Sequence, residues 1–129
     1  MSAFALSEVG VVVLPWSPLA GGFLTGKYRC DEDKPEGWRR AEFYFPPVDK
    51  EEAYEAVEVM DKIAEDINVS IPQIALAWLL HQPGITAPII GAKKMSQLED
   101  NLASTEIDLT KKEVSKISKN TEPKSIYPQ

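Results

Sequence analysis

Cysteine and histidine are nearly missing from this chain, which has Cys30 and His81 and no others among its 129 residues. One thiol in a polar stretch excludes a disulfide framework and fits a reducing compartment, so a cytoplasmic protein is expected. One histidine leaves the carboxylates around 51–65 without interleaved imidazoles, so that acidic face reads as solvated surface and no metal ligands are assigned. No apolar run approaches the roughly 20 residues that span a bilayer. Met1-Ser2-Ala3-Phe4 has neither a basic start nor a long apolar stretch, so neither a membrane span nor a secretory signal is expected. Basic residues are outnumbered, 14 against 20, for a net charge of −6. Such a surface repels nucleic acid and anionic membranes, although a local pair of lysines can still hold a small phosphate. Repeats with a period of 20–50 residues and low-complexity tracts are also absent.

What is present is the composition of one globular domain, with 43% hydrophobic and 26% charged residues. Phe4 to Glu8 reads as the end of a helix stopped by Gly10. Val11 to Leu14 is a continuous apolar run closed by Pro15, the pattern of a strand buried on both faces in a parallel sheet. Pro18, Gly21, Gly22 and Gly26 impose a loop. From Arg29 to Pro47 no period is visible, so this long connection is either a lid or a segment ordered by contacts elsewhere.

From Asp49 the 3, 4 spacing of Ala53, Ala56, Val57, Met60, Ile63, Ala64 and Ile67 predicts an amphipathic helix. Ser70-Ile71-Pro72-Gln73 is a capping box that opens a second helix, apolar nearly all round from Ile74 to Leu80 and therefore deeply covered. His81 at its end suits an interaction with the last carbonyls. Ala87 to Ile90 predicts a second buried strand, and a helix follows from about Met95 to Ala103. Thr110-Lys111-Lys112-Glu113 is another capping box, and Asn120 to Gln129 is expected to fray. The boundaries are thus a β/α segment over 1–119 and a tail over 120–129. Two parallel strands have two open edges and cannot cover the 74–80 helix, which points to a portion of a larger fold.

The most informative stretch runs from Pro88 to Leu102. A strand ends at Gly91, Lys93 and Lys94 follow, and a helix begins. Backbone N–H groups, a positive helix end and two ammonium groups then converge on one point, a natural place for a phosphate. Gln97 and Asn101 are four residues apart on one helix face, where amides can read a base edge. By themselves the lysines also fit a solvated turn, and Trp16 fits ordinary packing.

Three blocks together resemble the aldo-keto reductases. Gly10 to Tyr28, reading G-V-V-V-L-P-W-S-P-L-A-G-G-F-L-T-G-K-Y, is similar to their seventh strand and following loop. Ser70 to Gly84 resembles the helix before their eighth strand, and Pro88 to Leu102 that strand and the cofactor-binding helix after it. The resemblance implies α/β architecture, specifically the C-terminal portion (about the last two β/α units) of a TIM-type (β/α)8 barrel with two parallel strands and several helices. It implies an oxidoreductase using NADPH (NADP) for hydride transfer to aldehydes or ketones. On that resemblance Trp16 stacks on the nicotinamide, and Ser17, Leu19 and Gly21 approach the pyrophosphate. Gly91, Ala92 and Lys93 meet the ribose 2′-phosphate, while Gln97 and Asn101 lie near that phosphate and the adenine. Lys94 and Met95 depart from the family's capping hydroxyl and proline, a loss of roughly 1 kcal/mol of capping. Lys93, where many members have arginine or serine, lacks a planar fork.

The family's catalytic Asp, Tyr, Lys and His lie on earlier strands that nothing here matches, so no catalytic residue is assigned. Three readings follow. The chain is the cofactor-binding part of a reductase, inactive alone and prone to pair with itself or with a complementary barrel fragment. Alternatively it is a non-catalytic NADPH-binding regulatory module, or a fragment without an autonomous role.

Overall fold

The computed structural model describes residues 10–27 and 49–121. The readings of Phe4–Glu8, the 29–47 connection with Cys30, and the tail beyond Thr121 lie outside the described residues.

Among the described residues four α-helices form the body: α1 (Lys50–Ile67), α2 (Ile71–Leu80), α3 (Met95–Ala103) and α4 (Lys111–Lys119). Each start has a local cause, except that of α3. The Asp49 carboxylate accepts the N–H groups of Glu51 and Glu52 at 3.1 and 3.3 Å. Ser70 with Gln73 and Thr110 with Glu113 close complete capping boxes on α2 and α4. No side chain caps α3, where Lys94 stands at the cap. Asn68 ends α1 in the left-handed region (φ 57), which its short amide side chain tolerates better than most, and the chain bends by 102° into α2.

The core sits among α1, α2, α4 and Leu109. Ala56, Val57, Met60, Ile63 and Ala64 pack against Ile74, Ala75, Ala77 and Ile117. The predicted α1 stripe is therefore present, but it stops before Ile67, which is exposed at the helix end. Trp78 closes the far side of α2 by donating its indole N–H to Ser118 Oγ at 3.1 Å. The buried part of α2 is Ile74–Ala77, while Trp78, Leu79 and Leu80 are half-buried.

The predicted buried strands need correction. Among the described residues there is no regular strand; two parallel bridges, Val13 with Ile85 and Trp16 with Ile89, join two extended ribbons, one around 11–16 and the other around 85–90. Thr86 N–H donates to the Val13 carbonyl at 3.0 Å and Ile89 N–H to the Pro15 carbonyl at 2.8 Å. A regular parallel ladder would place residue 88 opposite that second carbonyl. Pro88 has no N–H to donate, so the next residue takes its place and the register slips. Nor are the ribbons buried on both faces: Val11, Val12, Leu14 and Ile89 are each 50–62% exposed. Their pattern suits a covered sheet, but the described helices do not cover that side.

Between the first ribbon and α1 lies a turn of 3-10 character, Ala20–Thr25, interrupted by left-handed Gly21 and Gly22. Phe23 anchors it, 3% exposed and 5.1 Å from the Tyr54 ring of α1, centroid to centroid. At Gly26 (φ 73) a Cβ would collide with the Ile71 side chain at the start of α2. The turn is thus wedged against α1 and α2.

Candidate functional site

A groove of about 950 Å³ opens where the ends of the two ribbons meet the glycine-rich turn and α3. Its first wall carries Trp16, Ser17, Leu19 and Gly21, and its second Gly91, Ala92 and Lys93, with Gln97 and Asn101 from α3. Every residue singled out from the sequence as a cofactor contact therefore borders one concavity, although roughly 70 residues of chain separate the two walls. Trp16, on the first wall, is 61% exposed. Gln97 is exposed on α3, whereas Asn101 one turn later is 7% exposed.

The first wall is held in an unusual backbone form. Ser17 (φ 54) and Ala20 (φ 51) are left-handed without being glycine, a conformation that costs roughly 1–2 kcal/mol per residue. Ala20 N–H donates to the Ser17 carbonyl at 2.9 Å, and Gly21 N–H donates to Ser17 Oγ at 3.2 Å. On the second wall, Gln97 Oε1 accepts the Lys93 N–H at 3.0 Å. Gln97 thus braces the 91–93 turn as well as bordering the groove. A Cβ at Gly91 would meet nothing within 4 Å, so that side of the turn is open to close approach by a ligand.

Sequence reasoning passed over Lys27, Ser70 and Asp100, which also line the groove. Lys27 adds a second cation to the lining beside Lys93. The Thr25-Gly26-Lys27 run gave no hint of it, because only the folded turn brings Lys27 round. Asp100 is held by Ser70, whose hydroxyl donates to Asp100 Oδ2 at 2.6 Å.

Neither His81 nor Tyr54 borders the groove. His81 Nδ1 is 2.7 Å from the Ala77 carbonyl and Nε2 is 3.2 Å from Asp108 Oδ1. Both partners are acceptors, so the protonated ring, with two N–H donors, is the form this geometry favours. The Ala77 carbonyl first, then the Asp108 carboxylate, raise its pKa above the ordinary 6.5. It serves the end of α2, as the sequence implies. No group of three or more His, Cys, Asp or Glu capable of holding a metal occurs among the described residues, and no single described helix is long and apolar enough to cross a membrane.

With this geometry in hand, the family follows from comparison. The model of the aldo/keto reductase family matches residues 1–122. The chain belongs to the aldo/keto reductase family. It is 36% identical over 124 residues to the aldo-keto reductase yakc [NADP(+)] of Schizosaccharomyces pombe, and 35% identical over 120 residues to the aldo-keto reductase str7 of Strobilurus tenacellus. Each match takes in 92% of this chain and 36% of the relative, so the chain spans about a third of the length of these proteins. Among solved structures, the glycerol dehydrogenase AKR11B4 from Gluconobacter oxydans superposes with a TM-score of 0.70 at 27% identity. That match covers 99% of this chain and 40% of the other. The described fold therefore matches a portion of that larger structure.

Proposed function

We propose that this chain is the dinucleotide-holding C-terminal part of an NADP-dependent aldo-keto reductase barrel, and that it does not reduce carbonyl compounds alone. The observation that carries this reading is the convergence of both walls on one groove with Lys27 and Lys93 at its borders. The residues fit such a cofactor. Two ammonium groups and the uncapped start of α3 suit phosphates, the Trp16 face suits a flat ring, and the Gln97 and Asn101 amides suit a base edge. A relative bearing NADP(+) in its name adds support.

In this reading Lys93, with Gly91 and Ala92, receives the 2′-phosphate, and Ser17, Leu19, Gly21 and Lys27 border the pyrophosphate. Trp16 orients the nicotinamide and shields one face from water. When held by these residues, such a dinucleotide would supply hydride. Protonation of a carbonyl requires a donor acid near the ring, and the described groove lining includes no tyrosine or histidine. The half-exposed ribbons further support association, either with a second copy or with a complementary barrel portion.

Titration with NADPH, followed by tryptophan fluorescence, tests the reading. Quenching that is lost in Trp16→Phe and weakened about tenfold or more in Lys93→Ala is expected. No response of the wild-type chain at millimolar NADPH overturns it.

A further inference from the structure

We infer that the capping box of α2 does more than begin its own helix, because Ser70 and Gln73 are positioning residues that locate α3, and with it one wall of the groove. This rests on the dinucleotide reading for its functional consequence, but not for its structural content.

The need for such a device is visible in α3 itself. Its only buried residue is the polar Asn101, while Met95 and Leu102 are 69% and 54% exposed. Leu98 and Ala103 are only half-buried, so the hydrophobic stripe of α3 is short, and its start has no side-chain cap. Polar contacts add to that limited packing.

Those contacts come from the start of α2. Ser70 Oγ accepts the Gln73 N–H at 3.3 Å, and Gln73 Oε1 accepts the Ser70 N–H at 3.0 Å, which closes the box. Each side chain then donates one hydrogen bond to the same residue of α3. The Ser70 hydroxyl donates to Asp100 Oδ2 at 2.6 Å, and Gln73 Nε2 donates to the Asp100 backbone carbonyl at 3.0 Å.

That carbonyl is one of the last four of α3, which have no regular partner within the helix. The N–H of Ser104, its ordinary partner, bonds instead to the Asn101 and Leu102 carbonyls. Gln73 therefore supplies the donor that the tightening of the helix end takes away. Asp100 is gripped by side chain and backbone together. It sits beside Asn101 and three residues from Gln97, on the face that borders the groove.

The test combines hydrogen exchange with NADPH titration on the full chain, using Ser70→Ala, Ser70→Thr, Asp100→Ala and the Ser70→Ala/Asp100→Ala double variant. In Ser70→Ala, the amides of 98–103 should exchange about three- to tenfold faster than in wild type, those of 111–119 should not change, and Ser70→Thr should restore protection. NADPH affinity should fall by a similar factor in Ser70→Ala and recover in Ser70→Thr. Asp100→Ala leaves the α2 cap intact, so it carries the test if Ser70→Ala does not fold. It should loosen 98–103 alone, and the double variant should loosen that segment no further than the Asp100 variant does. Unchanged exchange of 98–103 in Asp100→Ala, or independent and additive effects in the double variant, overturns the inference. If wild type ignores NADPH, the dinucleotide reading fails while the exchange data still decide whether α2 locates α3.

Discussion

Val57 and Val12 carry the same side chain, yet Val57 is 4% exposed in the helical core and Val12 is 62% exposed on the ribbon. Ile74 and Ile89 repeat the contrast, at 0% and 50%. Hydrophobicity sets what a residue gains from burial, not whether the same chain supplies a cover. In the helical half α1, α2 and α4 cover one another. In the ribbon half, residues patterned for a sheet covered on both faces meet described helices on one side only.

The largest expected effect contrasts the two halves directly. Ile74→Ala should lower the unfolding free energy by about 2–5 kcal/mol in urea denaturation, since it empties a filled core position. Val12→Ala should change it by no more than about 0.5 kcal/mol. Equal losses would mean that the ribbon is as well packed as the core. Next comes the wedge between the halves. Gly26→Ala should destabilise by about 1–3 kcal/mol, because its Cβ and Ile71 compete for one space and its φ is positive. Gly91→Ala, with open space around it, should leave the denaturation midpoint where it is and bear only on the cofactor titration.

A third test alters the ribbon without touching the core. Val12→Glu should reduce binding of a hydrophobic dye and lower the apparent mass in size-exclusion chromatography, at an unchanged denaturation midpoint. The smallest effect concerns the end of α2. His81 has a raised pKa in the folded chain, so folding favours its protonated form. The stability it adds is fully present below its ordinary 6.5 and is lost as pH rises through the raised value. Asp108→Asn should narrow the difference between acid and alkaline midpoints. A pH profile identical to wild type would show that this contact is idle.

Much of this was legible in the residues. The capping boxes at Ser70 and Thr110 mark helix starts because a cap is a local interaction, complete within four residues. The α1 stripe is legible for the same reason, and Ile67 departs from it only because the helix outlasts its cover. The strands misled because β pattern reports an environment, not a local bond. The slipped register at Pro88 was present in the sequence as a missing donor, but it shows only when the opposite carbonyl is known. The residues named from the family blocks all border one groove. Lys27 and Asp100 escaped notice because neither has a local signal.

Three things were settled by the order of residues alone: the helices, the capping boxes of α2 and α4, and the apolar face that α1 turns inward. Each depends on neighbours within a turn or two along the chain. Only the tertiary structure decided that Lys27 joins Lys93 at one groove, that Ser70 and Gln73 reach across to Asp100, and that the ribbons lie half-exposed. Those outcomes depend on groups distant in sequence, and on whether a covering surface is present, which no local spacing encodes.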